Sequence, residues 1–219
     1  MTEQNWHQPL IAVDVVALSY NKEQKSVKYA LGERNHEPFK GTFALPGVLL
    51  DRESAEHAAY RALETKLGVE ADSVLYLKDI GVTDNPERDE RGPSLSVIYV
   101  AVIKDDALND KITKSELLSQ MNHPELPFDH SSILERAVRY VKDTILVDKE
   151  LTKALTGTVF KTSDVFNILS GVNGFKSESN ETPDASNLSR KLKSMGWFEK
   201  LDKFSSQGRG RPSSAWKYI

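Results

Sequence analysis

Residues 47–69 read Gly-Val-Leu-Leu-Asp-Arg-Glu-Ser-Ala-Glu-His-Ala-Ala-Tyr-Arg-Ala-Leu-Glu-Thr-Lys-Leu-Gly-Val. Ser54 is placed to cap a helix, because its hydroxyl can accept an amide N–H of the first turn. Glu56 follows early in that helix, and Gly68 stops it after Leu67, since glycine tolerates the left-handed backbone of a helix end. Upstream, Gly41, Pro46 and Gly47 break residues 39–50 into strand fragments around a tight loop. Gly47, Glu53 and Arg61 are spaced Gly-x5-Glu-x7-Arg, with Gly68-Val69 closing the stretch.

Working outward, residues 10–20 (LIAVDVVALSY) are too rich in Val and Ile for a surface helix and read as a buried strand. Residues 21–24 make a polar turn, and residues 26–32 alternate like the second arm of a hairpin. Two more strands are expected at 74–83 and 94–104, separated by a charged loop at 84–93. Residues 131–146 carry Ile133, Leu134, Ala137, Val138, Val141 and Ile145 at a helical period, with Asp129 or Ser131 as N-cap. After a junction near 147–150 come short helices at 151–155 and 162–169, a polar Gly- and Ser-rich loop at 171–183, and a helix at 185–195. Strands at 197–201 and 215–219 then flank a hinge at 205–214. Helix, helix, helix, strand, basic loop, strand is the order of a winged helix.

The chain has 219 residues, no cysteine, 39% hydrophobic and 28% charged residues, and a formal net charge of −3. Its size suits one large domain or two modest ones. Absent cysteine excludes disulfides, a thiolate nucleophile and Cys-ligated metal sites, and it fits a cytoplasmic protein. No stretch approaches the roughly 20 apolar residues that cross a bilayer, and residues 1–10 lack the pattern of a secretory signal. Charge is unevenly placed: from Leu151 onward 11 Lys/Arg stand against 6 Asp/Glu, and over 186–219 the split is 8 to 2. A basic segment on an acidic protein is either a solvated face or a surface for phosphate contact.

The stretch at 47–69 resembles the Nudix box, G-x5-E-x7-R-E-U-x-E-E-x-G-U with U apolar. The resemblance implies a Nudix-like α/β/α sandwich, in which glutamates after the arginine hold magnesium or manganese against a pyrophosphate. Those glutamate positions are here Ala62, Thr65 and Lys66. Hard divalent cations need several carboxylate oxygens, and an ammonium repels them, so the sequence implies no catalytic residues, no metal ligands and no cofactor. The loop also departs from the common LPGG: it reads Leu45-Pro46-Gly47-Val48, one residue shorter from its first glycine to Glu53. Residues 41–46 and the loop 84–92 are similar to ADP-ribose pyrophosphatases and to Nudix-related regulators of NAD metabolism. Pro127-Phe128-Asp129-His130 is a further resemblance to those regulators.

A silent Nudix cleft would still bind. Arg34, Arg52, Arg88 and Arg91 are candidates for phosphate, since guanidinium forks suit it, and Arg91 is favoured at the mouth of a strand. Phe43 could stack on a base, and His130 could touch ligand or relay its arrival. The alternatives are surface ion pairs, a core aromatic, and a packed histidine beside a capping Asp129.

In the third helix of the C-terminal part, Leu188, Leu192 and Met195 form one apolar stripe. Asn187 and Arg190 lie off that stripe and suit base edges, while Ser186, Ser189, Lys191 and Lys193 suit phosphates. Gly208-Arg209-Gly210-Arg211-Pro212-Ser213 looks like the wing, with Arg209, Arg211 and Ser213 facing the duplex. The GRP followed by an aromatic strand is again similar to Nudix-related regulators.

The resemblance therefore implies an α/β (α+β) chain: a Nudix-like effector-sensing domain at 1–147 and a winged helix-turn-helix domain at 148–219. The implied function is a dimeric transcription regulator, of a class that represses NAD-biosynthesis genes, which binds a double-stranded DNA operator and a small-molecule effector, nucleotide-like or a phosphorylated sugar, of the ADP-ribose type, with no membrane partner. The competing readings are a Nudix hydrolase of ADP-ribose or nucleotide sugars with an accessory domain, and an adaptor that uses both parts for protein contacts.

Overall fold

The structure, a computed structural model, describes residues 9–108, 113–119, 125–175, 185–201 and 214–219, with the side chains of 185 and 186 excepted. Strand β1 (Leu10–Asn21) is the spine of the fold. It pairs antiparallel with β2 (Ser26–Glu33) through a tight hairpin, and parallel with β6 (Ser94–Ile103) over nine residues from Leu10↔Ser94 to Leu18↔Val102. Short strands β3 (Phe43–Ala44) and β4 (Gly47–Leu49) add to β2 and β1, and β5 (Val74–Thr83) lies antiparallel to β6.

Both faces of this mixed sheet are covered, which explains why β1 is apolar almost throughout. Val13, Val15 and Ala17 point to one face, where α1 (Ala55–Leu67) buries Ala58, Ala59, Ala62, Leu63 and Leu67. Val16, Leu18 and Tyr20 point to the other, under Ile133, Leu134, Ala137 and Val141 of α2 (His130–Thr144). The sandwich is α/β/α, as expected. Ser54 Oγ accepts from the His57 amide at 3.2 Å, and Gly68 ends α1 at φ +70°.

The C-terminal part begins with α3 (Lys149–Thr156) and continues through β8 (Val159–Lys161), α4 (Thr162–Asn173), α5 (Ala185–Ser194), β9 (Phe198–Leu201) and β10 (Ala215–Tyr218). β8, β10 and β9 form a three-stranded sheet. Its core is Phe160, Val165, Leu188, Leu192, Phe198 and Trp216, the last donating its indole N–H to Thr162 Oγ1 at 2.8 Å. Leu151, Leu155, Ile168 and Val172 of α3 and α4 bury into the same core as the sheet and α2.

β7 (Thr113–Leu117), antiparallel to β2, and β8 have no counterpart among the sequence expectations: Thr-Lys-Ser-Glu-Leu carries little β signal, and β8 is three residues long. Two local expectations are corrected. α4 runs on to Asn173 through Gly171, where the sequence predicts the start of a loop. The missing side chain there lets the helix close on β2, since a Cβ at 171 would lie 3.3 Å from Val27 Cγ2. Asp129 precedes α2 without capping it through its side chain, because its carboxylate is engaged elsewhere. Among the described residues, no helix is long and apolar enough to cross a membrane.

Candidate functional site

The sheet end where β1, β2 and β4 meet the first residues of α2 holds a cleft of about 440 Å³, lined by residues including Asp14, Arg34, Lys66, Arg88, Arg91, Phe128 and His130. Its floor is a buried ionic network. Arg88 donates from Nη2 to Asp14 Oδ2 at 2.6 Å and from Nε to Asp129 Oδ1 at 3.0 Å, all three side chains being under a tenth exposed. Asp129 Oδ2 also accepts from Thr83 Oγ1 at 2.8 Å. His130 Nδ1 accepts the Leu45 amide N–H at 3.1 Å, and its Nε2 stands 3.5 Å from Asp14 Oδ1. Burial alone would raise the Asp14 carboxyl, but the neighbouring His130 and Arg88 outweigh it and hold the group at about 2. Gly47 pairs with Asp14 in register, and a Cβ there would run into the Asp14 carboxylate. The Leu45-Pro46-Gly47 turn is thus shaped to this network.

Above the floor, Arg91 pairs with Asp89, Nη2 to Oδ2 at 2.6 Å, which draws the Asp89 carboxyl below its ordinary range. Arg34 Nε donates to Pro38 O at 2.8 Å, and its guanidinium carbon lies 4.7 Å from the centre of the Phe128 ring. Burial, and then the nearby Arg91 charge, lower the Arg34 pKa. Phe128 also meets Phe39 edge-on at 5.0 Å. Both phenylalanines sit at positive φ, +57° and +64°, a conformation that costs a bulky residue about 1 kcal/mol or more and concentrates at functional sites.

Four expected ligand residues, Arg34, Arg88, Arg91 and His130, therefore line one cleft. Arg88 faces it already held by two carboxylates. Arg52 is exposed and Phe43 lies on β3 with Lys114 Nζ 6.0 Å from its ring; neither is among the cleft-lining residues. Asp14 and Phe128 were not anticipated as lining. Their signal was faint: one acid inside an apolar strand, and one aromatic inside the Pro-Phe-Asp-His segment.

A divalent cation, implied by the Nudix resemblance, does not fit the residues present. Ala62 is fully buried, Thr65 Oγ1 donates to Arg61 O at 2.6 Å, and the cationic residue Lys66 lines the cleft. Glu53 is taken by Arg61, which also donates to Leu49 O at 2.9 Å. Among the described residues no group of three His, Asp or Glu could hold a metal ion.

In α5, Leu188 and Leu192 face the core, leaving Asn187, Arg190, Lys191 and Lys193 exposed. Arg190 Nη2 donates to Asn187 Oδ1, so the two groups expected to read bases are presented together. Ser189 is instead half-buried, 3.5 Å from Thr162 Oγ1. The Ser186 side chain, Arg209, Arg211 and Ser213 lie outside the described residues.

Fold and cleft together define a Nudix-type sandwich that carries a winged helix. No protein-family model matches the chain. It is 31% identical over 136 residues to the ADP-ribose pyrophosphatase of Methanocaldococcus jannaschii, a match covering 60% of this chain and 75% of that protein. It is 33% identical over 137 residues to the ADPR responsive transcriptional repressor NtrR of Acinetobacter baylyi, covering 59% of this chain but only 53% of the repressor. The crystal structure of Shewanella oneidensis NrtR superposes with a TM-score of 0.74 at 24% identity, over 96% of this chain and 94% of that one. Its Nudix domain complexed with ADP ribose aligns at 26% identity and a TM-score of 0.54, over 64% and 94% of the two chains. The chain belongs to the Nudix family.

Proposed function

We propose that this chain is an effector-responsive DNA-binding regulator whose Nudix cleft binds, without hydrolysing, a nucleotide-like ligand of the ADP-ribose type. One observation carries the reading. Helix α2 starts in the cleft floor, at Asp129 and His130, and its flank packs on α4, which in turn packs on the DNA-reading α5. A single helix therefore touches both the ligand cleft and the winged helix. We place the division between the two parts at 147/148, with the reader in 148–219. The similarity to an ADPR responsive repressor supports the ligand class.

In this mechanism a homodimer offers two α5 helices to half-sites about one helical turn apart. Ligand in the cleft moves the start of α2, and a coupling of about 1–3 kcal/mol changes operator affinity roughly 5–150-fold. Retention of a duplex selected from a random pool, with and without ADP-ribose, tests it. Salt-sensitive binding that ADP-ribose weakens or strengthens is the expected result. Binding that ignores both salt and ADP-ribose overturns it.

The identity to an ADP-ribose pyrophosphatase favours a second reading, an enzyme with an accessory domain. Magnesium-dependent release of AMP from ADP-ribose by the pure protein would decide for it. Ala62, Thr65 and Lys66 argue against it.

A further inference from the structure

We infer that the Lys66 ammonium acts as a built-in counter-cation for the ligand's diphosphate, so that the cleft holds a nucleoside-diphosphate-type ligand without any divalent metal. The inference rests on the ligand class proposed above and says how this cleft meets the ligand's charge.

The cleft's cations differ in what they have left to offer. Arg88 is bound by Asp14 and Asp129, Arg91 by Asp89, and Arg61 by Glu53. Lys66 lines the same cleft half-buried, and among the described residues it has no carboxylate within ion-pair distance. Among the described residues the Lys66 charge is unmatched by any carboxylate, and an anionic ligand would supply the match. Arg34 is the other lining cation with no carboxylate in ion-pair reach among the described residues; it leans on Pro38 O and the Phe128 ring. Two such cations suit a diphosphate diester, which carries one negative charge on each phosphorus.

Lys66 is also held in place. It belongs to the last turn of α1, and β2 presses against that turn at Gly32. A Cβ on Gly32 would lie 2.7 Å from Lys66 O and 3.3 Å from Lys66 Cβ, so only glycine permits this approach. The backbone and Cβ of Lys66 are thus fixed between helix and strand, at a position that lines the cleft. An ammonium offers three donors and a compact charge to phosphate oxygens, at a helix position where the Nudix box has a metal-binding glutamate.

A bland reading is also available: a basic residue in the last turn of a helix favours the helix dipole. Calorimetric titration of the full chain separates the two. ADP-ribose is expected to bind with the same Kd in excess EDTA as in magnesium. Lys66→Gln is expected to weaken that binding about tenfold or more, with the Tm of the unliganded protein within a degree or two of the parent, and Lys66→Arg to restore part of it. The inference is overturned if EDTA weakens binding by the parent chain, or if Lys66→Gln binds as tightly as the parent. If ADP-ribose fails to bind but inorganic pyrophosphate binds in EDTA and is lost in Lys66→Gln, the counter-cation stands and the ADP-ribose reading falls. If neither binds, both fall.

Discussion

Tyr76 of β5 donates its hydroxyl hydrogen to Asp148 Oδ2 at 2.8 Å, across the seam where the sandwich meets α3. The other oxygen of the same carboxylate caps α3, accepting from the amides of Glu150 at 2.9 Å and Leu151 at 3.0 Å. Tyr140 of α2 stands 2.8 Å from the Tyr76 hydroxyl. One aspartate thus ties β5, α2 and α3 together. Asp148→Ala is expected to cost about 1–3 kcal/mol, from the lost cap and the stranded phenol, and Tyr76→Phe about 1 kcal/mol. Urea unfolding of both, with the double variant losing less than the sum, is the measure.

Arg88 is expected to matter for folding before it matters for ligand. Arg88→Ala leaves Asp14 and Asp129 buried and facing each other, which costs about 3–5 kcal/mol. Denaturant midpoints should fall accordingly. An Arg88→Ala protein as stable as the parent, yet blind to ADP-ribose, would turn Arg88 from a structural tie into a direct ligand contact.

Acid should loosen the cleft floor. Asp14 has a folded pKa of about 2, depressed from an ordinary 3.8. A depressed carboxylate stabilises the fold above its unfolded pKa, and that contribution, about 2 kcal/mol, disappears as pH falls from about 4 toward 2. Thermal melts between those values should steepen in pH dependence for the parent and flatten for Asp14→Asn, which should already be less stable at neutral pH.

On the proposed function, the exposed α5 side chains divide into base readers and phosphate anchors. Arg190→Ala is expected to weaken binding to a selected duplex about tenfold and to relax its sequence preference. Lys191→Ala with Lys193→Ala should weaken all duplexes alike and reduce the salt slope by about 2. Ser189→Ala should leave affinity nearly unchanged, since that hydroxyl turns toward Thr162. Fluorescence anisotropy across a salt series separates the three outcomes.

Much of the fold was legible because its signals are local. The apolar run of β1 announced a strand buried on both faces, and Ser54 and Gly68 marked the ends of α1. Gly171 misled because its role is tertiary: it makes room for Val27 rather than ending a helix. The cleft was legible only in part. Arg34, Arg88, Arg91 and His130 stood near recognisable segments, but the partners of Arg88 are 74 and 41 residues away in the chain. Nothing local says that an arginine is already spoken for. The left-handed backbone of Phe39 and Phe128 likewise has no signal in residue type, since phenylalanine does not favour it.

Leu151, Leu155, Ile168 and Val172 lie in one apolar mass with Leu18, Val27 and Ile133. On the proposed function, sensor and reader are therefore poor interchangeable parts. A reader grafted onto a foreign sensor would arrive with an oily face seeking cover, and a sensor cut free would carry the matching scar. Trading one half for another would require rebuilding the seam on both sides at once.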